Sequence, residues 1–152
     1  PVTFVLEHMI HSLGSILKER YPDYPVYDSP NQQGTKCPCF FIFFTTSEMH
    51  SEVNARFMRD LGIDIVFVQQ RNIENGNREI QDVADYLDCS LEVFPYSDGG
   101  ECPALIRTFD RQWQSEDGEL HYKFRIRQRV AIPRKVNLMT EMEEENASVK
   151  NK

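Results

Sequence analysis

Four cationic side chains alternate with apolar ones along one segment of this chain, and their spacing suggests an electrostatic role. Every second residue from 123 to 129 is Lys or Arg, with His121 preceding them in the same alternation, and the other positions of residues 120–132 are aliphatic or aromatic except for Gln128. This period of two predicts a strand with one face in a core and all four cations on the other face. We call the four the cationic ladder: Lys123, Arg125, Arg127 and Arg129.

The chain as a whole is acidic, so a dense row of cations calls for an explanation. It has 24 Asp and Glu against 17 Lys and Arg, a formal net charge of -7. The ladder could meet an acidic surface of a neighbouring copy or of the chain's own tail. It could instead bind nucleic acid together with Arg107, Arg111 and Trp113. It could also prevent an exposed edge strand from pairing with strands of other chains. Overall acidity weighs against non-specific binding of nucleic acid, which needs many phosphate contacts.

Two aspartates could form ion pairs with the ladder. Asp60 and Asp64 lie four positions apart in a predicted strand at residues 55–70, so they share one of its faces. We predict that they lie with the ladder at an interface between copies, with Glu74 and the acidic run at residues 141–145 as further complements. The sequence has no phosphate-binding glycine loop, nucleophile elbow or metalloprotease helix, so we predict no enzymatic activity, no catalytic residue and no cofactor.

The cysteines do not have the spacing of a metal site. Cys37 and Cys39 are separated by one proline rather than by the two residues of a typical zinc hook. The four histidines show no paired ligand spacing either. We therefore expect no metal and mostly buried, reduced thiols at all four cysteine positions, which include Cys89 and Cys102.

The elements that must position these residues follow from hydrophobic periodicity. Apolar residues at helical spacing predict one amphipathic helix at residues 4–17, with Thr3 as its cap and Tyr21-Pro22 as its end, and a second at residues 80–94. An Asp-Gly pair at residues 117–118 predicts a tight hairpin between the last two strands. Strands are predicted at residues 38–46, 55–70, 104–114 and 120–132, a short extended segment at residues 22–28, and loops at residues 47–54 and 95–103. The strand at 38–46 is apolar on both faces, which predicts a central strand or one covered by a neighbouring copy.

An antiparallel sheet with both helices packed on one face is the economical way to bury two helical stripes, so the predicted fold class is α+β. With 152 residues the chain has room for one domain, which we place at residues 1–133. Residues 134–152 are rich in glutamate and are expected to form a flexible acidic tail. The longest apolar runs fall far short of the roughly 20 residues of a membrane-spanning helix, so no membrane partner is expected.

Several segments, in this order along the chain, resemble the tail terminator (tail completion) proteins of phages and prophages. The resemblance spans about residues 4–132. The segments that carry it are Leu17-Lys18-Glu19-Arg20-Tyr21-Pro22, Pro25-Val26-Tyr27, Pro38-Cys39-Phe40-Phe41-Ile42, residues 56–67, Val83-Ala84-Asp85-Tyr86-Leu87 and the closing hairpin.

The resemblance implies a structural virion protein with an α+β fold and no catalytic residues. Such proteins form a homohexameric ring on the last ring of the tail tube, end tail polymerisation and present the surface for head-tail joining. The implied partners are other copies of the chain, the tail tube protein, a head-tail connector protein and DNA passing through the lumen. The implied location is the virion tail, after assembly in the cytoplasm of the bacterial host. A nucleic-acid-binding module with a basic sheet stays open as the alternative function.

Overall fold

A curled sheet with two helices on one of its faces makes up the described part of the protein. The computed structural model describes residues 2–3, 5–29, 35–53, 56–97 and 103–131. The predicted tail at residues 134–152 lies outside them. In chain order the elements are β1 (Val2–Thr3), α1 (Leu6–Arg20), β2 (Val26–Tyr27), β3 (Cys39–Ser51), β4 (Phe57–Val68), α2 (Gly76–Ser90), β5 (Val93–Tyr96), β6 (Ala104–Glu116) and β7 (Glu119–Ala131).

The strand order is β2-β3-β4-β7-β6-β5, with β1 beside the end of β7. The pairs β3–β4, β4–β7, β6–β7 and β5–β6 are antiparallel, whereas β1 and β2 pair in parallel with their neighbours. Buried residues of both helices share one core cluster with the apolar face of the sheet. The predicted α+β fold with two helices against an antiparallel sheet is therefore confirmed.

The two faces of the sheet differ in chemistry because the alternation of β4 is in phase with that of β7. Leu61, Ile63 and Ile65 lie opposite Ile126, Phe124 and Tyr122 and are buried under the helices. Each such side chain stabilises the fold by about 1.5–3 kcal/mol relative to an exposed one. The intervening residues point away from the helices, to what we call the open face. They include Asp60, Gly62 and Asp64 on β4, opposite Arg127, Arg125 and Lys123 on β7.

Tyrosine hydroxyls tie the helices to the sheet and to each other. Tyr122 on β7 donates to Asp88 on α2, and Tyr86 on α2 donates to the carbonyl oxygen of Ile16 on α1 at 2.7 Å. Burial, followed by the hydrogen bond to Asp88, raises the pKa of Tyr122 well above its ordinary value. The Tyr122 hydroxyl therefore keeps its proton, and the helix layer is held over the core face of the sheet.

The hairpin between β6 and β7 confirms the prediction from Asp-Gly. Glu116 and Glu119 pair directly and leave two residues in the loop, Asp117 at φ 50 and Gly118 at φ 77. Positive φ at both central positions is the conformation of a type I′ turn, whose twist matches that of the flanking strands.

One strand continues where a loop was predicted, and its outer edge is largely uncovered. Residues 47–51 extend β3 and pair with residues 57–61, although their side chains are exposed. Beyond Phe41, within the described residues, no strand lies on the side of β3 away from β4. β3 is thus not central. Phe41 and Phe43 stay half-buried on the open face, so this chain alone does not cover both faces of the strand.

Three other sequence expectations need correction. Thr3 does not cap α1, because it pairs with Ala131 in β1, and the N-cap position is Val5 with no capping side chain. The second helix ends at Ser90 rather than at residue 94, and Phe94 is buried in a strand, β5, that pairs with β6. The loop predicted at residues 95–103 is wrong at its start, because residues 95 and 96 belong to β5.

A candidate interface on the open face of the sheet

The ladder lies on the open face, where its two central arginines share one carboxylate. Arg125 donates through Nη2 to Oδ1 of Asp60 at 3.0 Å, and Arg127 donates through Nη2 to Oδ2 at 3.1 Å. The contact arises because β4 and β7 are adjacent and Asp60 pairs directly with Arg127 in the register. The charge of Asp60 is therefore matched within its own chain, rather than left for a neighbouring copy as the sequence alone suggested.

Asp60 is a buried carboxylate that pairs with two more exposed arginines. Its side chain is 4% exposed, against 39% for Arg125 and 57% for Arg127. Burial alone would raise the pKa of Asp60, but the hydrogen bonds from Arg127 and Arg125 outweigh it and hold the pKa below its ordinary value. The carboxylate is ionised and out of reach of a partner, while the guanidinium groups above it are fixed and accessible.

Asp64, the second predicted carboxylate, is bound to a histidine. Its Oδ2 lies 3.1 Å from Nδ1 of His121, whose Nε2 lies 3.2 Å from Oε2 of Glu119. Lys123 is the register partner of Asp64, yet no ion pair within the described residues includes it. Its side chain is exposed, and among the described residues it is the ladder cation with no acid in contact.

Arg129 ends the ladder at the periphery of the open face. Its Nε lies 3.6 Å from Oε2 of Glu52, and its side chain is 61% exposed. Exposed pairs of this kind contribute about 0–1 kcal/mol, so this contact restrains Arg129 only weakly. The structure thus brings Asp60, Arg125 and Arg127 into one cluster and leaves Lys123 and Arg129 on either side of it.

A cationic depression adjoins the ladder, and sequence reasoning missed it. Its volume is about 510 Å³, and Arg111, Lys123 and Arg125 line it with Asp110 as the acid among the lining residues. Gly62 lines it too, where a β-carbon would come within 2.6 Å of the hydroxyl oxygens of both Thr45 and Thr46. A glycine inside a strand often marks such a close approach, and this was the available signal.

Bulges in the two strands that flank the central pair shape this depression. The register of β3 with β4 shifts between Phe44 and Thr46, and that of β6 with β7 shifts between Phe109 and Gln112. Asp110, inside the second bulge, has a φ of 55. Arg111 is turned to donate to the hydroxyl of Thr108 at 3.2 Å. The guanidinium of Arg111 is thus directed to the helix side of the sheet, toward Thr108 and Tyr122. The result is a shallow basin in which Lys123 and Arg125 are the cations available to a carboxylate or a phosphate.

The cysteines and histidines form no metal centre within the described part of the chain, where no group of three or more candidate ligands comes together. Cys39 is buried, and burial raises its pKa to about 12. Cys37 and Cys89 are exposed, so the expectation of mostly buried thiols is wrong for them. Cys102 lies outside the described residues. Neither described helix is long and apolar enough to cross a membrane.

Comparison with known proteins gives one informative match. Residues 8–137 match the model of a family described as phage tail terminator protein. No curated protein matches the chain. A solved structure of a protein without a functional name covers 87% of this chain and 99% of its own, at 15% sequence identity and a TM-score of 0.44. A likeness of that degree is too distant to bear on function.

Proposed function

Since this chain belongs to the phage tail terminator family and is thus a structural protein of the phage tail, we propose that it caps the tail tube as a ring. The ring binds the last ring of the tube, ends tube growth and presents the surface to which the head connector joins. The family match confirms the resemblance inferred from the sequence. The homohexamer, the connector and assembly in the cytoplasm of the host belong to the proposal.

The open face of the sheet is the observation that best supports a ring. It carries accessible cations that Asp60 holds in fixed positions, and it leaves Phe41 and Phe43 half-buried. A rigid charge pattern sets the register and the choice of partner in an assembly more than it sets raw affinity. We therefore place the ladder, with Asp60 and Asp64 beneath it, at the junction between neighbouring subunits.

A ring of this kind works by geometry alone. One side complements the end of the tube, and the other side does not complement the ring itself, so no further ring adds. Contacts that are weak singly suffice, because each is repeated around the ring. A central opening lets DNA pass between head and tail.

The alternative is a nucleic-acid-binding module, and the cationic depression favours it. Lys123 and Arg125 line a basin that could accept a phosphate. Against it, Asp60 neutralises the nearby Arg125 in part, and the chain carries a formal charge of -7. Repulsion from the rest of the chain would oppose the many phosphate contacts on which such binding depends.

The absolute mass of the protein tests the proposal. Light scattering over a series of concentrations, in low and moderate salt and with or without purified tail tubes, should show a species of about six chains, either alone or bound to tube ends. A protein that stays monomeric and does not bind tubes would contradict the ring. A titration with DNA would then test whether the protein binds nucleic acid.

A further inference from the structure

An acidic face on α2 lies on the opposite side of the subunit from the ladder. The helix buries Ile80, Val83, Ala84 and Leu87 against the sheet. On its exposed side, Asp82, Asp85 and Asp88 recur at intervals of three residues. We call these three residues the acidic face.

The acidic face is available to a partner. Neither Asp82 nor Asp85 forms an ion pair with any described residue, whereas Asp88 accepts the hydrogen bond from Tyr122. Arg78 is the basic residue of α2. Arg20 of α1 lies beside α2, with its guanidinium carbon 5.3 Å from the ring centre of Tyr86. Arg111 of β6 also reaches this side of the sheet, where it hydrogen-bonds the Tyr122 hydroxyl beside Asp88. Three aspartates, with Glu79 and Glu92 close by in sequence, outnumber these three cations.

We propose that the ladder of one copy binds the acidic face of α2 of the next copy around the ring. This inference rests on the proposed ring and names the two surfaces that meet in it. Because the helices cover one face of the sheet and the ladder lies on the other, the two surfaces cannot meet within one subunit. A contact between two different surfaces is heterologous, and its repetition closes a ring when the rotation between subunits allows it.

The acidic face is shorter than the ladder. Lys123 and Arg129 lie six strand residues apart, which is about 20 Å at the rise of an extended chain. Asp82 and Asp88 lie six helical residues apart, which is about 9 Å. The acidic face can therefore lie along about half of the ladder. Lys123, which has no acid in contact among the described residues, and the depression beside it are the most open positions for its carboxylates.

Charge favours a second copy over DNA as the occupant of the ladder. The acidic face is opposite in charge to the ladder and presents three carboxylates to its four cations. A DNA duplex carries one negative charge for about every 1.7 Å of its axis, which is more than four cations can match. Asp82 and Asp85 of a second copy supply acids for Lys123, which has none in contact among the described residues, and for the exposed guanidinium groups beside it.

Reciprocal charge reversal tests the contact. The sheet variant is Lys123→Glu with Arg129→Glu, which leaves the Asp60 pairs intact. The helix variant is Asp82→Lys with Asp85→Lys. Each variant alone should associate at least tenfold more weakly than the original protein, because like charges then face each other. A 1:1 mixture should regain the ring, with the two variants alternating and only even numbers of subunits.

Matched controls change the net charge by the same amount elsewhere. Glu7→Lys with Glu19→Lys reverses two exposed acids on α1, and Lys18→Glu with Arg71→Glu reverses two exposed bases away from the ladder. Both controls should form rings normally. Circular dichroism verifies the fold of every variant, and Asp82→Asn with Asp85→Asn serves as a milder helix variant, which should show a smaller loss.

The outcomes separate this inference from the proposed function. If the original protein forms rings and both reversed variants do so equally well, the ring stands and this contact is overturned. If folded variants lose the ring and their mixture does not regain it, the pairing of these two surfaces is likewise overturned. If the sheet variant forms rings but loses binding to a short DNA duplex, the ladder binds nucleic acid instead. An original protein that stays monomeric with tubes overturns both proposals.

Discussion

Asp60 is the residue on which the arrangement of the ladder depends. One buried carboxylate binds two guanidinium groups through different oxygens, so it fixes two exposed side chains that would otherwise sample many rotamers. Its contacts within the chain position these two cations. Removing its charge should release Arg125 and Arg127 together.

Asp60→Asn should therefore lower the free energy of unfolding by about 1–3 kcal/mol at neutral pH, because the amide cannot accept two charged hydrogen bonds. Urea unfolding monitored by circular dichroism measures the change. Asp28→Asn, at an exposed carboxylate, is the matched control and should change the stability little. Equal stability of the Asp60 variant and the original protein would mean that the two ion pairs contribute nothing to the fold.

The pH dependence of that difference follows from the lowered pKa of Asp60. A carboxylate with a folded-state pKa below the unfolded value contributes stability above the unfolded pKa, near 3.9. The contribution disappears as the pH falls through the folded-state pKa. The gap between the original protein and Asp60→Asn should thus be full at pH 7 and should close in strong acid.

The alternation of charged and apolar residues predicted which face each of these residues occupies, but not which residues touch. It placed the four cations on one face of β7, and Asp60 with Asp64 on one face of β4. Periodicity within a strand carries no information on which strand lies beside it. The contact between Asp60 and the arginines depends on β4 and β7 being neighbours, which only the folded sheet determines.

Two glycines give opposite predictions at the scale of the elements. At Gly62 in β4, a β-carbon would lie 2.6 Å from the hydroxyl oxygens of Thr45 and Thr46, so Gly62→Ala should destabilise the protein by about 1–3 kcal/mol. At Gly14 in α1 the nearest atom is 3.9 Å away, so Gly14→Ala should stabilise it by about 0.5–1 kcal/mol. Thermal unfolding of the two variants measures both changes in stability, a loss for Gly62→Ala and a gain for Gly14→Ala.

A third variant identifies the cause of the loss at Gly62. Adding Thr45→Ala and Thr46→Ala to Gly62→Ala removes both clashing hydroxyls, so part of the lost stability should return. No recovery would mean that the loss at Gly62 has another origin than these two contacts.

Elements with strong local signals could be predicted, and those defined by a partner could not. The hairpin at residues 117–118 and the two amphipathic helices follow from turn residues and helical spacing. β5 contains Pro95, which sequence reasoning takes as a breaker, yet it pairs with β6 at the edge of the sheet. Residues 47–51 are polar and exposed, so only their pairing with β4 shows that they extend β3.

At the scale of the whole molecule, the opposed ladder and acidic face give the subunit two sides of unlike charge. If these sides meet in the ring, salt should weaken the assembly, because the screening length shrinks from about 10 Å at 0.1 M to 3 Å at 1 M ionic strength. The apparent dissociation constant of the ring should rise severalfold between about 0.05 M and 0.5 M sodium chloride. Analytical ultracentrifugation across that range measures it.

A ring held mainly by apolar contacts would respond differently to the same change. Burial of apolar surface gains strength, if anything, from salts that are excluded from protein surfaces. An assembly whose dissociation constant does not change with sodium chloride would therefore indicate that apolar side chains such as Phe41 and Phe43, rather than the ladder, form the contact. The control variant Lys18→Glu with Arg71→Glu should show the same salt dependence as the original protein.

The outer edge of β3 bears on how long a free subunit survives before it is used. An uncovered strand edge is a template on which other extended chains can stack, as in amyloid. β2 shields the start of the apolar half of β3, the bulge near Thr46 interrupts the edge, and the remainder carries polar side chains such as Glu48 and His50. These features reduce edge-to-edge aggregation among free subunits.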